Sequence, residues 1–121
     1  MLLDSNIIIY ASQPQFDELR NFIARSVPFV SAISYVEVLG YHRLTEDERV
    51  YFGAFFHAAS ILPVSESVLD EAVRLRQLRK MTLGDALIAA TALVHQLTLV
   101  THNQKDFVWI PNLSVIDPVG D

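Results

Sequence analysis

Short apolar runs alternate with helix-like stretches along this chain, and this alternation is the feature that most restricts its fold. Five runs are short and apolar enough to form buried strands, at residues 1–3, 28–30, 61–64, 97–101 and 113–116. The stretches between them carry apolar residues at helical spacing, often behind a Ser or Thr suited to capping a helix. Strands separated by helices of ~10–15 residues predict parallel β/α/β units with helices on both faces of the sheet. We therefore predict an α/β sandwich with a four- or five-stranded parallel sheet, whose strand order the pattern does not give.

The whole chain, residues 1–121, is predicted to form one domain, because ~100–150 residues support a single core. Hydrophobic residues make up 51% of it, enough for a sizeable core. No cysteine is present, which excludes disulfides, thiolate zinc sites and cysteine nucleophiles. No stretch predicts a membrane helix. Strand-like sequence begins at Leu2, so we expect no signal peptide and a cytoplasmic location.

The chain is acidic, with a net charge of −5. This charge argues against a nucleic-acid binder that relies on bulk positive potential. It does not argue against an enzyme that meets phosphate groups through bound metal ions, and it also fits a protein with a basic partner. Net charge alone therefore does not decide the function.

Acidic and amide side chains follow two of the predicted strands. Asp4 comes directly after the first strand, and Asn103 and Asp106 come after the strand at 97–101. Ligands of open α/β sheets bind at the carboxyl ends of the strands, so these side chains should lie at one edge of the sheet. Two simpler interpretations remain open: Asp4 caps the next helix, and Asn103 and Asp106 belong to a polar turn.

Two more acids lie in predicted helices. Glu37 shares a helix face with Ile33, Gly40 and Leu44 and so interrupts an apolar stripe. Asp85 begins a helix that is apolar or small on every side, and burying a lone carboxylate costs several kcal/mol unless it is paired or binds a metal. The alternatives are a rim position for Glu37 and a capping box for Asp85.

Together these acids predict a cation site. Crowded carboxylates repel one another, and the sequence places no Lys or Arg directly beside Asp4, Glu37 or Asp85. Ligand sets made only of oxygen suit Mg²⁺ or Mn²⁺, which bridge to substrate phosphate. Such an ion orients a water molecule, lowers its pKa and offsets charge on the scissile phosphate. The chemistry indicated is phosphodiester hydrolysis.

Four motifs, in this order and at these intervals, resemble those of PIN domains. They are Asp-Ser-Asn at 4–6, Ser-x-x-Glu at 34–37, and the segments 82–93 and 101–107. The resemblance covers the whole chain and is greatest to the VapC-type toxins of bacterial and archaeal toxin–antitoxin pairs. It implies a three-layer α/β/α sandwich and a Mg²⁺- or Mn²⁺-dependent endoribonuclease with an RNA substrate. It also implies a homodimer and inhibition by a cognate antitoxin, which we expect to cover the cleft and insert a basic side chain among the acids.

Motif by motif, the resemblance assigns roles to individual residues. Asp4 and Asp85 would be the main metal-binding acids, and Glu37 would complete the cluster. Asn6 would hydrogen-bond and position those acids, and Thr101 would play a similar orienting role. All of these assignments follow from the family pattern.

The sequence departs from the family pattern at Asn103, where a fourth acid is often found. Asn ligates a metal through its carbonyl oxygen but brings no charge. Either Asn103 or Asp106 would therefore close the site, and we expect one metal ion rather than two. The same departure favours an alternative function, a non-catalytic PIN module that keeps the fold as an interaction surface. A receiver-like phospho-acceptor is disfavoured. The sequence lacks the acid pair near the first strand, the Asp at the end of a middle strand and the late Lys that such a domain needs.

Other features have structural explanations beside functional ones. The basic stretch at 74–80 would guide an RNA backbone or form a solvated helix face, with Lys105 and Arg43 as weaker candidates. The aromatic cluster at 51–56 is expected in the core or where a second subunit or antitoxin docks. Phe107 and Trp109 are likewise expected in the core or at a dimer contact. Four histidines without metal spacing are expected to be structural: His42, His57, His95 and His102.

Overall fold

The computed structural model describes residues 1–120, which contain a five-stranded sheet. Its strands are β1 (Leu2–Leu3), β2 (Phe29–Ser31), β3 (Ser60–Leu62), β4 (Leu99–Val100) and β5 (Val115–Ile116). Every pair of neighbouring strands is parallel, and the order across the sheet is β3-β2-β1-β4-β5. The predicted α/β class and the parallel sheet are confirmed, with five strands.

Six helices lie in the same residues. They are α1 (Ser5–Ala11), α2 (Asp17–Ser26), α3 (Ala32–Leu39), α4 (Glu46–Ala58), α5 (Glu66–Leu78) and α6 (Leu83–His95). A short 3₁₀ turn, Gln104–Asp106, follows β4. Side chains cap most of these helices, as at Thr45, where both hydrogen bonds of a capping box with Glu48 are present. Local capping chemistry therefore sets where the helices begin.

Helices cover both faces of the sheet. Adjacent strand residues point to opposite faces, so Leu2 and Leu3 belong to two different clusters of buried residues. The Leu2 cluster is built with α5 and α6, and the Leu3 cluster is built with α1, α2 and α4. This is the predicted three-layer sandwich. No helix within residues 1–120 is long and apolar enough to cross a membrane.

The topology places a crevice between β1 and β4. From β1 the chain moves outward through β2 to β3, and it then crosses back to β4 on the other side of β1. Ligands of open α/β sheets bind at such a reversal, beyond the carboxyl ends of the strands. Asp4 follows β1 and Thr101 follows β4, so both stand at this crevice.

One sequence interpretation needs correction, and another that left two alternatives open is resolved for two of its residues. Helix α3 ends at Leu39, so Leu44 lies outside it and the predicted apolar stripe around Glu37 does not exist. Gly40 caps the helix there, in keeping with the cost of about 1 kcal/mol for glycine inside a helix. The aromatic cluster at 51–56 is only partly available for docking, because Phe52 and Phe56 are core residues. Tyr51 is partly exposed, and Phe107 is fully buried in the other cluster.

Candidate functional site

Asp4 is the most enclosed acid of the site, with only 5% of its surface exposed. It is the N-cap of α1, and its Oδ1 accepts a hydrogen bond from the Ser5 N–H at 2.8 Å. Its Oδ2 accepts a hydrogen bond from the Thr101 hydroxyl at 2.7 Å. A carboxylate has about four acceptor positions, so the cap leaves Asp4 able to bind a further ligand.

Thr101 connects Asp4 to the segment after β4. Its hydroxyl donates to Asp4 and accepts a hydrogen bond from the Asn103 N–H at 3.0 Å. Its own backbone N–H bonds to the Ile116 carbonyl, and its side chain is fully buried. Thr101 therefore fixes the Asp4 carboxylate relative to two strands and to the Asn103 backbone.

Glu37 is exposed, but its carboxylate is hydrogen-bonded to buried Ser5, which in turn is hydrogen-bonded to buried Ser34. The Ser5 hydroxyl lies 2.7 Å from Glu37 Oε1 and 2.8 Å from the Ser34 hydroxyl. Since Ser5 has one hydroxyl proton, the arrangement that satisfies both contacts has Ser34 donating to Ser5 and Ser5 donating to Glu37. Sequence patterns did not single out Ser5 as a site residue. Its only signal was a small hydroxyl residue directly after Asp4.

The first turn of α6 packs directly against Glu37. A Cβ added to Gly84 would come within 2.5 Å of Glu37 Oε2, so a larger residue there would require this carboxylate to move. Asp85 is the next residue, and its N–H donates to the capping hydroxyl of Thr82 at 3.1 Å. The Thr82 cap therefore fixes the first turn of α6, where the charge of Asp85 interacts with that of Glu37.

The carboxylates of the site repel one another. The pKa of Asp4 is raised to about 6, chiefly by burial and also by the negative charges of Asp85 and Glu37, while the hydrogen bonds from Thr101 and Ser5 act in the opposite direction. Burial also raises the pKa of Asp85, with added repulsion from Asp106 and Glu37. The four acids therefore lie close enough for their charges to interact. No Lys or Arg is among the groups that shift the pKa of Asp4 or of Asp85.

Asn103 and Asn6 differ from the acids in their contacts. The Asn103 backbone bonds to Thr101, while its side chain is exposed. Asn6 makes no hydrogen bond to the acids, contrary to expectation, and its buried Oδ1 has no partner among the described residues. Ser5, one residue earlier on α1, contacts Glu37 instead. The side chain of α1 that hydrogen-bonds to Glu37 is therefore Ser5 rather than Asn6.

The donor set fits a hard divalent cation in its chemistry. All the donors are oxygens, and among the described residues none of the four carboxylates is ion-paired to a Lys or Arg. Within residues 1–120, however, no three Asp, Glu or His side chains are already arranged to hold one ion. Side-chain rotations, especially of exposed Glu37 and Asp106, would be needed to surround a cation.

Comparison with known proteins gives one result for the fold and the family. A model of the PIN domain matches residues 1–111. A toxin–antitoxin complex from Klebsiella pneumoniae is similar at a TM-score of 0.80 and 30% identity, over 99% of this chain and 98% of that chain. VapBC2 from Rickettsia felis, bound to a promoter DNA fragment, is similar at a TM-score of 0.84 and 25% identity, over 96% of both chains.

DNA-bound VapBC from Salmonella typhimurium shares the fold, with a TM-score of 0.85 at 19% identity over 97% of this chain and 96% of that chain. No curated protein sequence matches significantly. The family match spans Asp4 after β1, Asp85 in α6 and the segment after β4. This chain belongs to the PIN-domain family.

Proposed function

We propose that this protein is a Mg²⁺-dependent endoribonuclease, with Mn²⁺ able to substitute, and that it is the toxin of a toxin–antitoxin pair in the cytoplasm. The observation that carries the proposal is the group of four mutually repelling carboxylates at the crevice between β1 and β4. PIN domains are generally nucleases, and the similarity to toxin–antitoxin complexes supports the same assignment.

Asp4, Asp85 and Glu37 would hold the ion, with Asn103 or Asp106 closing the site. A bound Mg²⁺ supplies an activated water molecule and offsets negative charge on the scissile phosphate and the leaving oxygen. With a pKa of about 6, Asp4 is mostly ionised at neutral pH and available as a ligand. The Ser5 N–H and the Thr101 hydroxyl fix its two oxygens, so the ion meets a carboxylate of defined orientation.

Hydrolysis by water is the reaction that these side chains support. The hydroxyl of Thr101 is committed to Asp4, and the hydroxyls of Ser5 and Ser34 are committed to Glu37 and to each other. None of the three is therefore placed as a nucleophile. The chain has no cysteine to act as one.

The proposal is tested by incubating the purified protein with a mixed RNA pool and with single-stranded DNA of matching sequences. Each is assayed with Mg²⁺, with Mn²⁺ and with EDTA. We expect RNA to be cut with either metal, no cutting in EDTA and little cutting of DNA. Failure to cut RNA with both metals, after any co-purified antitoxin has been removed, would contradict the proposal.

A non-catalytic PIN module is the second candidate. It is favoured by Asn103 in place of an acid and by the lack of a ready-made ligand shell in residues 1–120. The two functions differ in what Asn103→Asp does. In a nuclease the added charge should tighten Mg²⁺ binding and keep or raise cleavage, whereas a module that binds no metal should show no Mg²⁺-dependent change in melting temperature.

The proposed partners are a cognate antitoxin and a second copy of this chain. An antitoxin that inserts a basic side chain among the four acids would form the ion pairs that these acids do not make within residues 1–120. The exposed apolar side chains of Tyr35, Val36 and Tyr51 on α3 and α4 are available to a subunit or antitoxin.

Thr101→Val is expected to reduce cleavage by roughly 10–100-fold with little effect on folding, since outer-sphere partners of metal ligands typically have effects of that size. Valine keeps the shape of threonine but removes the hydrogen bonds to Asp4 and from Asn103. Single-turnover cleavage across a Mg²⁺ titration measures the effect. Thr91→Val is the control, because Thr91 is an equally buried threonine whose hydroxyl bonds only to the Leu87 carbonyl. Equal losses in both variants would contradict the orienting role.

Gly84→Ala is expected to lower activity by about 10-fold while leaving the fold as stable as before or more so. Alanine favours the helix, but its Cβ would displace the Glu37 carboxylate. Gly53→Ala is the matched control in α4, since an added Cβ there meets nothing within 4 Å. Melting temperatures and cleavage rates of both variants check the prediction. Unchanged cleavage by Gly84→Ala would show that the position of Glu37 does not matter.

A further inference from the structure

Beside the acids lies a cleft of about 210 Å³ that is lined by side chains of both charges. Asp85 and Asp106 line it together with three cationic residues, Arg79, Lys80 and Lys105. The chain has nine Lys and Arg residues and a net charge of −5, so a third of its cationic side chains meet at this one place. The cleft is therefore cationic in a protein that is otherwise acidic.

The three cations are free of ion pairs within the part of the chain that the structure describes. Other basic residues do form them: Arg20 with Asp17, Arg49 with Glu46 and Arg74 with Glu71. Arg74 thus belongs to a solvated helix face, whereas Arg79 at the end of the same basic stretch lines the cleft. Cations that have no acidic partner are available to an anionic ligand.

The protein holds part of this cationic surface in place. The Arg79 guanidinium lies 5.2 Å from the centre of the Trp109 ring, a cation–π contact. Trp109 is itself fixed by a hydrogen bond from its Nε1 to the Asp106 carbonyl at 3.0 Å. The Arg76 side chain donates to the Met81 carbonyl at 3.3 Å and so ties the end of α5 to the segment before α6. Less side-chain entropy is then lost when Arg79 binds a ligand.

We propose that this cleft, defined by Arg79, Lys80 and Lys105, binds an RNA phosphate next to the one being cut. The inference rests on the proposed function, because it takes RNA as the substrate. Asp85 belongs both to the acidic group and to the cleft, so a strand whose scissile phosphate meets the acids continues directly past the cations. The cleft's volume of about 210 Å³ is many times the ~10–15 Å³ that one water molecule needs, which leaves room for one sugar-phosphate unit of a single strand.

A polyanionic strand fits this surface better than an acidic peptide. A single anionic group in the cleft, whether a peptide carboxylate or a phosphate, would face Asp85 and Asp106 as well as the cations. An RNA strand places one phosphate near the metal held by the acids and the next phosphate on the cations. The regular spacing of charge along RNA therefore matches both halves of the site.

The test is RNA binding measured by fluorescence anisotropy, with a labelled single-stranded oligonucleotide in EDTA so that the strand stays intact. We expect Arg79→Gln/Lys105→Gln to weaken binding by roughly 10-fold or more. The slope of log affinity against log salt should become shallower by about 0.7, the value for the one phosphate that the variant no longer neutralises. Arg79→Lys, which keeps the charge, should retain most of that slope.

The matched control is Arg25→Gln/Arg43→Gln, which removes the same charge. Arg25 lies in the last turn of α2 just before β2 begins, at the opposite edge of the sheet from the site, and Arg43 lies in the turn between α3 and α4; neither residue lines the cleft. We expect this control to bind RNA within about twofold of the wild type with the same salt slope. Equal weakening in the two double variants would show that only net charge acts and would overturn the inference.

Three further results separate the cleft from the nuclease function. If the wild-type protein does not bind RNA, the inference about the cleft is wrong. It is also wrong if Arg79→Gln/Lys105→Gln loses antitoxin binding but keeps RNA binding. If the wild type cleaves RNA and the Arg79→Gln/Lys105→Gln variant has an unchanged KM and salt slope, the inference about the cleft is wrong. The proposed nuclease function is not affected by that result. If the salt slope changes as predicted but the protein cuts no RNA with Mg²⁺ or Mn²⁺, RNA binding by the cleft is supported and the proposed nuclease function is contradicted.

Discussion

Replacing Asp4 or Asp85 by Asn is expected to reduce metal-dependent RNA cleavage by at least ~100-fold, because each change removes a charged ligand of the metal. Asn has the shape of Asp, so the structure around it should persist. In Asp4→Asn the side-chain carbonyl still accepts the Ser5 N–H, and the amide faces the Thr101 hydroxyl, which has acceptor capacity. The charge is lost and the local packing is kept.

The stability of these variants separates a catalytic role from a structural one. Both acids sit in an environment that raises their pKa, so removing either charge should leave the melting temperature in EDTA unchanged or higher. Asp70→Asn is the control, since Asp70 is an exposed acid on α5, and it should retain full cleavage. Cleavage that persists in Asp4→Asn or Asp85→Asn would show that the site is misplaced or that the activity comes from a contaminant.

The sequence predicted those parts of the fold that depend on local chemistry. Thr45 and Thr82 cap helices where their spacing indicated, because a cap involves only a few consecutive residues. The α/β class followed from the alternation of segments for a similar reason. The strand order β3-β2-β1-β4-β5 depends on pairings such as Leu2 with Leu99, far apart in the chain, and no local pattern encodes it.

The site was predictable where the topology of parallel sheets alone decides the position. Residues that follow neighbouring strands must lie near each other, and Asp4 and Thr101 do so. The contacts of Glu37 were not predictable, because Ser5 lies 32 residues away and reaches it only through the packing of α1 on α3. Ser5 and Asn6 are consecutive residues of α1, and the rotation of about 100° between them decides which one hydrogen-bonds to Glu37.

Without metal, the protein is expected to lose stability as the pH rises from about 4 to 7, by an amount that Asp4→Asn largely abolishes. Burial raises the pKa of Asp4 from 3.8 to about 6 in the folded state, so between these values the folded protein binds more protons than the unfolded chain. Stability therefore falls as the pH rises through this window. The shift corresponds to about 3 kcal/mol, and Asp85, whose pKa is also raised, acts in the same direction.

The measurement is urea unfolding in EDTA at several pH values, for the wild type and Asp4→Asn, since groups other than Asp4 contribute nearly equally to both. The difference between the two proteins should grow from pH 4 to 7 in favour of the variant. Saturating Mg²⁺ should restore the wild type at pH 7, by about 2.7 kcal/mol at 100 times its dissociation constant, and should do little for the variant. Because binding needs ionised carboxylates, this stabilisation should weaken below pH 6. A difference that does not depend on pH would show that Asp4 is ionised as easily in the folded protein as in the unfolded chain, and would remove the electrostatic argument for a cation at this crevice.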